Sequence, residues 1–258
     1  MLDLQPAAVD DALARSVIYR TLSVGFQMPT DEGLHQIGAR DGFPVLVAAL
    51  HRLDDRTTGR PLLAAAAARL RALTVPSVDA LADTFVRLFG HTTRGPVCAC
   101  ETEYGADNSF HQPQQLADIS GYYLAFGLRP AAASDARADH VACECEFMDF
   151  LNRKEALLLT TRSDDDETLE ATRRAARTFL RDHLSRFGRA FATRVMIEAP
   201  EGFFGVLGRT LLELLDVECR RLSIEAGPID LVVRPDVADE APMACGAAPE
   251  LIQIQRRP

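Results

Sequence analysis

The sequence predicts an all-α fold: a single bundle of about eight helices followed by an irregular C-terminal tail. Apolar residues recur at helical spacing through almost every segment, and strand-like alternation of β-branched residues is hard to find. Composition agrees, since 47% of the 258 residues are hydrophobic and 25% charged, which suits a soluble globule whose core needs no metal or disulfide staple.

Val9, Leu13, Leu22 and Phe26 fall on one stripe of a first helix that Pro29 ends. Phe43 to Leu53 reads as a second helix, and Pro61, suited to a first helical turn, opens an alanine-rich third that runs to Leu73. Val78, Leu81, Phe85, Leu88 and Phe89 make a fourth, stopped at Gly90. The helical pattern then lapses from Gly90 to Pro113, and loops of that length are usually functional or disordered. Gln114 to Phe126 forms a fifth helix with Leu116, Ile119 and Tyr123 inward. A sixth runs from Asp139, its expected N-cap, to about Thr161. Ser163, followed by Asp164 to Glu167, starts a seventh that reaches about Ile197 before Pro200, its carboxylates lying where the helix dipole favours them. The eighth, Glu201 to Glu225, ends at Gly227-Pro228. Residues 1–228 thus read as one helical domain. Residues 229–258 read as a proline-punctuated, acidic tail able to fold back on it.

Charge and motif content narrow the function. Lys and Arg total 28 against 37 Asp and Glu, a net charge of −9 that repels phosphate backbones and anionic lipid, so nucleic acid and membrane surfaces are poor partners and a basic peptide a better one. Lys154 is the sole lysine, and no glycine-rich loop precedes it, which removes Walker-A and pyridoxal-phosphate chemistry. Gly-x-Gly-x-x-Gly, Gly-x-Ser-x-Gly and His-Glu-x-x-His are all missing. The N-terminus lacks a secretory signature and no apolar run approaches 18 residues, so a cytoplasmic protein with reduced thiols and no membrane insertion is expected.

Four cysteines form two Cys-x-Cys pairs, Cys98/Cys100 and Cys143/Cys145, and a zinc site needs four such ligands. Residues i and i+2 of a helix point roughly 200° apart, so Cys143 and Cys145 cannot face one metal, and buried cysteine usually acts as a small hydrophobe. Cys219 reads as core, and Cys245 lies in the tail. A di-iron site would need Glu-x-x-His on two helices, and Glu32 to His35 is a single match placed in a turn. The run Asp164 to Glu167 departs at Thr168 from the Asp-Asp-x-x-Asp of isoprenoid synthases and reads better as a helix cap. Asp139-His140 is a sharper candidate, with Glu144 one turn on and placed to hydrogen-bond the imidazole or raise its pKa, for structure or for recognition. Phe85, Leu88, Phe89, Tyr104, Tyr122 and Tyr123 could line an apolar groove, although plain core is the commoner role of such residues.

The string Gln115-Leu116-Ala117-Asp118-Ile119-Ser120-Gly121-Tyr122-Tyr123-Leu124-Ala125-Phe126-Gly127-Leu128, then Ala138-Asp139-His140-Val141-Ala142 and Glu144-Cys145-Glu146-Phe147-Met148, resembles the TorD/DmsD/NarJ family of molybdoenzyme-specific chaperones. Leu88-Phe89-Gly90 and Glu101-Thr102-Glu103-Tyr104 are similar to two further stretches of that family, and Met243 to Glu250 to its type II DMSO-reductase-family branch. The resemblance implies an all-α, non-catalytic chaperone without a cofactor of its own. Its partners would be the apo-form of a molybdenum oxidoreductase catalytic subunit, that subunit's twin-arginine signal peptide, and molybdenum cofactor biosynthesis proteins. It would assist cofactor insertion and delay export. Phe85, Leu88, Phe89, Tyr104, Gly121, Asp139 and His140 are the signal-peptide-binding positions on this reading, and charge adds Glu101, Glu103 and Glu144. The family's tryptophan near Leu88-Phe89 is absent, with Phe85 in its place, and Ala138 replaces the proline of its Pro-Asp-His turn. The alternative from another class is a helical metal-dependent enzyme using Cys, His and Glu ligands. An adaptor for an unrelated basic helix is a third.

Overall fold

The computed structural model describes residues 4–54, 61–90, 95–105, 112–129, 137–161 and 166–234. In chain order the helices are α1 (Leu4–Gly25), α2 (Asp31–Gln36), α3 (Pro44–Leu53), α4 (Leu62–Ala72), α5 (Val78–Phe89), α6 (Gln112–Ala125), α7 (Val141–Thr161), α8 (Asp166–Phe179), α9 (Ser185–Glu198) and α10 (Phe203–Leu222). A π-helical turn, Leu180–Leu184, joins α8 to α9, and a 3₁₀ turn, Glu101–Glu103, interrupts the loop after α5. Among the described residues the extended structure amounts to two isolated antiparallel bridges, Cys100 with His140 and Tyr104 with Val233. The fold is all-α.

α1 packs principally along α7, and α10 against α9, with α3 and α4 closing one side. Ala12, Ala14 and Ser16 are buried while Leu13, expected on the inward stripe, is 44% exposed. A polar seam fixes the register: Ser16 Oγ donates to Asp149 Oδ1 at 2.6 Å, and Arg15 Nε donates to Asn152 Oδ1 at 2.8 Å. The centre is aromatic, with Phe26 edge-on to Phe191 at 5.1 Å and Phe89 edge-on to Phe204 at 5.7 Å, offset geometries that add to area burial.

Local chemistry sets the helix ends, and several differ from expectation. α2 forms because the Thr30 hydroxyl accepts the Gly33 N–H at 3.0 Å, so Glu32 to His35 lies on a short helix rather than in a turn. Ser77 caps α5 through the Ala80 N–H. The expected seventh helix has the right extent but contains the π turn, which divides it, so the chain carries more helices than the eight expected. Its proposed start at Ser163 to Asp165 lies outside the described residues. α10 spans less than the Glu201 to Glu225 expected, and Arg177 donates to the carbonyls of Leu222 and Ser223 at its end. Beyond it, residues 229–234 run back to the 3₁₀ turn: Gly105 N–H donates to Val232 O and Arg234 N–H to Glu103 O. Tail residues 235–258, with Cys245, lie outside the described residues. No helix among the described residues is long and apolar enough to cross a membrane.

Candidate functional site

The loop after α5 begins with a tight crossing. A Cβ at Gly95 would sit 2.3 Å from the Phe89 carbonyl carbon, so only glycine lets the chain pass the end of α5. Val97 N–H then donates to Leu88 O, and Tyr104 Oη donates to Cys98 O at 2.7 Å, locking the loop against the core. Two reciprocal bonds, Glu101 N–H to Asp139 O and Val141 N–H to Ala99 O, pair this loop with the turn that leads into α7. That pairing brings Glu101, Thr102 and Glu103 beside Asp139 and the first turn of α7.

Asp139 is fully buried, yet it does not cap α7 as expected. Its Oδ2 accepts the backbone N–H of Thr102 at 3.0 Å and the Thr102 hydroxyl at 2.8 Å. Arg137 supplies the balancing charge: Nε donates to Asp139 Oδ1 at 3.0 Å, Nη2 to Oδ2 at 2.9 Å, and Nη1 to Glu103 Oε1 at 2.8 Å. The cap falls to His140, whose Nδ1 accepts the Ala142 N–H at 3.1 Å, leaving the proton on Nε2. Burial of the ring, reinforced by Arg137 and opposed by Asp139, pulls the His140 pKa down to about 4, so the imidazole is neutral near pH 7. Glu144 does not touch it. The backbone N–H of Glu144 bonds His140 O, while its side chain faces Glu101.

Glu144 is completely buried, and neither carboxyl oxygen has a well-formed hydrogen bond among the described residues. Burial above all, then the charges of Glu101 and Asp139, push its pKa well above the ordinary glutamate range, which favours the protonated form beside the Glu101 carboxyl. Glu101 Oε2 also lies 3.1 Å from Nδ1 of His183, and His183 Nε2 lies 3.4 Å from Asp118 Oδ2 on α6. The π turn presents this histidine. An i→i+5 segment shifts the following side chains around the helix, and such turns gather at functional sites.

The aromatic candidates occupy a different environment. Leu88 and Phe89 are core, and Phe85 is half-buried against Phe89 at 4.8 Å and Phe204 at 6.1 Å. A cleft of about 350 Å³ opens beside them, floored by Leu81, Phe203 and Phe204 and rimmed by Glu198, Glu201 and Arg87. Tyr104 is buried with its ring 5.6 Å from Phe187, serving the loop rather than a groove. Gly121 lies on the exposed face of α6, where an added Cβ would meet nothing within 4 Å. Tyr122 and Tyr123, on the same helix, pack against Phe147, Phe179 and His183. Structure therefore gathers Glu101, Glu103, Tyr104, Asp139, His140 and Glu144 at one junction. Arg137, Thr102, His183 and Asp118 complete it and were not singled out as site residues. An arginine two residues before a buried aspartate was the available signal for the first.

Among the described residues the thiols do not assemble a metal centre. Burial raises the pKa of Cys98 and of Cys143 to about 11 and that of Cys100 further, so these sulfurs stay protonated. Among the described residues no group of three or more His, Cys, Asp or Glu side chains is arranged to hold a metal.

No curated protein matches the chain. The family model described as "Nitrate reductase delta subunit" matches residues 54–193, more than half of the sequence and the whole of the junction just described. The chain belongs to the nitrate reductase delta subunit family, whose members are maturation chaperones of molybdoenzymes and not catalysts.

Proposed function

We propose that this chaperone recognises the twin-arginine leader of an exported molybdenum oxidoreductase through the acidic junction between the 3₁₀ turn and α7. By holding the leader, it would keep the apo-subunit in the cytoplasm until its cofactor is inserted. One observation carries the reading. Glu101, Glu103, Asp139 and Glu144 are four buried carboxyl groups gathered at one junction, with Arg137 and His183 among their partners. Ionising a carboxyl in so buried and acidic a place is costly, and the Glu144 pKa is raised accordingly. A guanidinium arriving from outside would supply both the charge and the planar donors that carboxylates accept.

Phe85 and the cleft over Phe203 and Phe204 would take the apolar stretch that follows the arginines. The resemblance to the type II branch suggests a client in that group, with molybdenum cofactor biosynthesis proteins as further partners. Affinity capture tests the proposal: the tagged chaperone is co-expressed with a molybdoenzyme catalytic subunit carrying its leader, and with the same subunit whose paired arginines are replaced by alanine. Capture of the first and not the second is expected. Equal capture of both would place recognition elsewhere.

A further inference from the structure

We propose that Arg137 is an internal occupant of the guanidinium site and that an arginine of the incoming leader displaces it. This rests on the leader-binding reading above and adds its regulation. Arg137 already makes the contacts a ligand arginine would make: two parallel bonds to Asp139, at 3.0 and 2.9 Å, and one to Glu103 at 2.8 Å. It stands at the outside of the cluster. Its side chain is 31% exposed, whereas those of Asp139 and Glu103 behind it are 0% and 6% exposed.

Placement favours exchange. Arg137 lies in the turn ahead of α7, so swinging its side chain out breaks no helical hydrogen bond, and its carbonyl can keep the His140 N–H. Because a guanidinium replaces a guanidinium, Asp139 and Glu103 stay paired throughout, and folding has already met the cost of desolvating them. A site filled by its own side chain is competent for ligand only in the fraction of molecules where that side chain is out, and apparent affinity falls by that fraction. The chaperone would thereby bind its leader firmly enough to delay export and loosely enough to let go.

Calorimetric titration of the full chain with a synthetic peptide bearing two consecutive arginines and an apolar stretch tests this. Arg137→Gln should bind roughly tenfold more tightly than the parent, and millimolar methylguanidinium should weaken the variant back towards the parent while hardly affecting the parent itself. Arg137→Lys, whose compact ammonium cannot span Asp139 and Glu103, should fall between the two and serves if the Gln variant does not fold. Parent binding with folded variants that bind equally or more weakly would overturn the displacement and leave the leader reading standing. No binding by parent or variants would remove the leader reading and this inference with it.

Discussion

Asp139 Oδ2 accepts two hydrogen bonds from Thr102, one from its backbone N–H at 3.0 Å and one from its hydroxyl at 2.8 Å. One buried carboxylate thereby ties the loop after α5 to the start of α7. With Arg137 bound to the same oxygen, Asp139 both holds the junction together and sets its charge.

Asp139→Asn keeps the shape of the side chain and removes the charge that Arg137 answers. Breaking a pair with one fully buried member should cost about 2 kcal/mol or more. Thr102→Val should cost about 1 kcal/mol, since it deletes the hydroxyl's bonds to Asp139 and from Arg137 and spares the backbone one. Urea unfolding midpoints of the two variants check this ranking, and a costlier Thr102 variant would reverse it.

Glu144 gives stability a particular pH dependence. Its carboxyl keeps its proton to higher pH in the fold than in the unfolded chain, so the stability attached to it is complete below about pH 4.5 and is lost as pH rises towards its raised folded pKa. Glu144→Gln should therefore be more stable than the parent at pH 8, the gap closing towards pH 4.5. Parallel stability curves for parent and variant would show that Glu144 is not held neutral.

His140 acts with the opposite sign. Its pKa is lowered from 6.5 to about 4, so the unfolded chain binds a proton first, and stability falls as pH drops from 6.5 towards 4. His140→Asn keeps an acceptor for the Ala142 N–H and cannot titrate. Thermal melts at pH 7 and pH 5 should show a smaller drop for the variant than for the parent. An equal drop would assign the acid sensitivity to other groups.

Gly205 lets α10 start against the turn after α9. A Cβ there would lie 1.9 Å from Ala199 O, a contact with backbone that cannot rotate away. Gly205→Ala should lose at least about 2 kcal/mol in denaturant unfolding, despite alanine's better helix propensity. A neutral or stabilising result would mean that the turn can shift.

Helices with a clear apolar period and a stop residue were legible in the sequence: α5, Val78–Phe89, and α3, Pro44–Leu53, stand within a residue of where periodicity puts them. α2 was missed because six residues after a proline show no period, and its evidence is the Thr30 cap. Leu13 misled because the buried positions on either side of it, Ala12 and Ala14, are small and carry little apolar signal. The π turn was hidden because its residues keep helical composition, and His183 was hidden with it. Asp139 was legible as important but not in its partners: Thr102 is 37 residues away, and no local pattern reveals a bond formed by loop pairing.

Titration of the chaperone with a two-arginine leader peptide, in buffers of differing ionisation heat, tests the central claim most directly. If one leader arginine takes the place of Arg137 and the second adds a charge beside the buried carboxyls, the raised pKa of Glu144 should fall, affinity should rise with pH, and binding should release a proton. Glu144→Gln should bind without releasing it. Binding that is independent of pH and releases no proton in the parent, or no binding at all, would contradict the account.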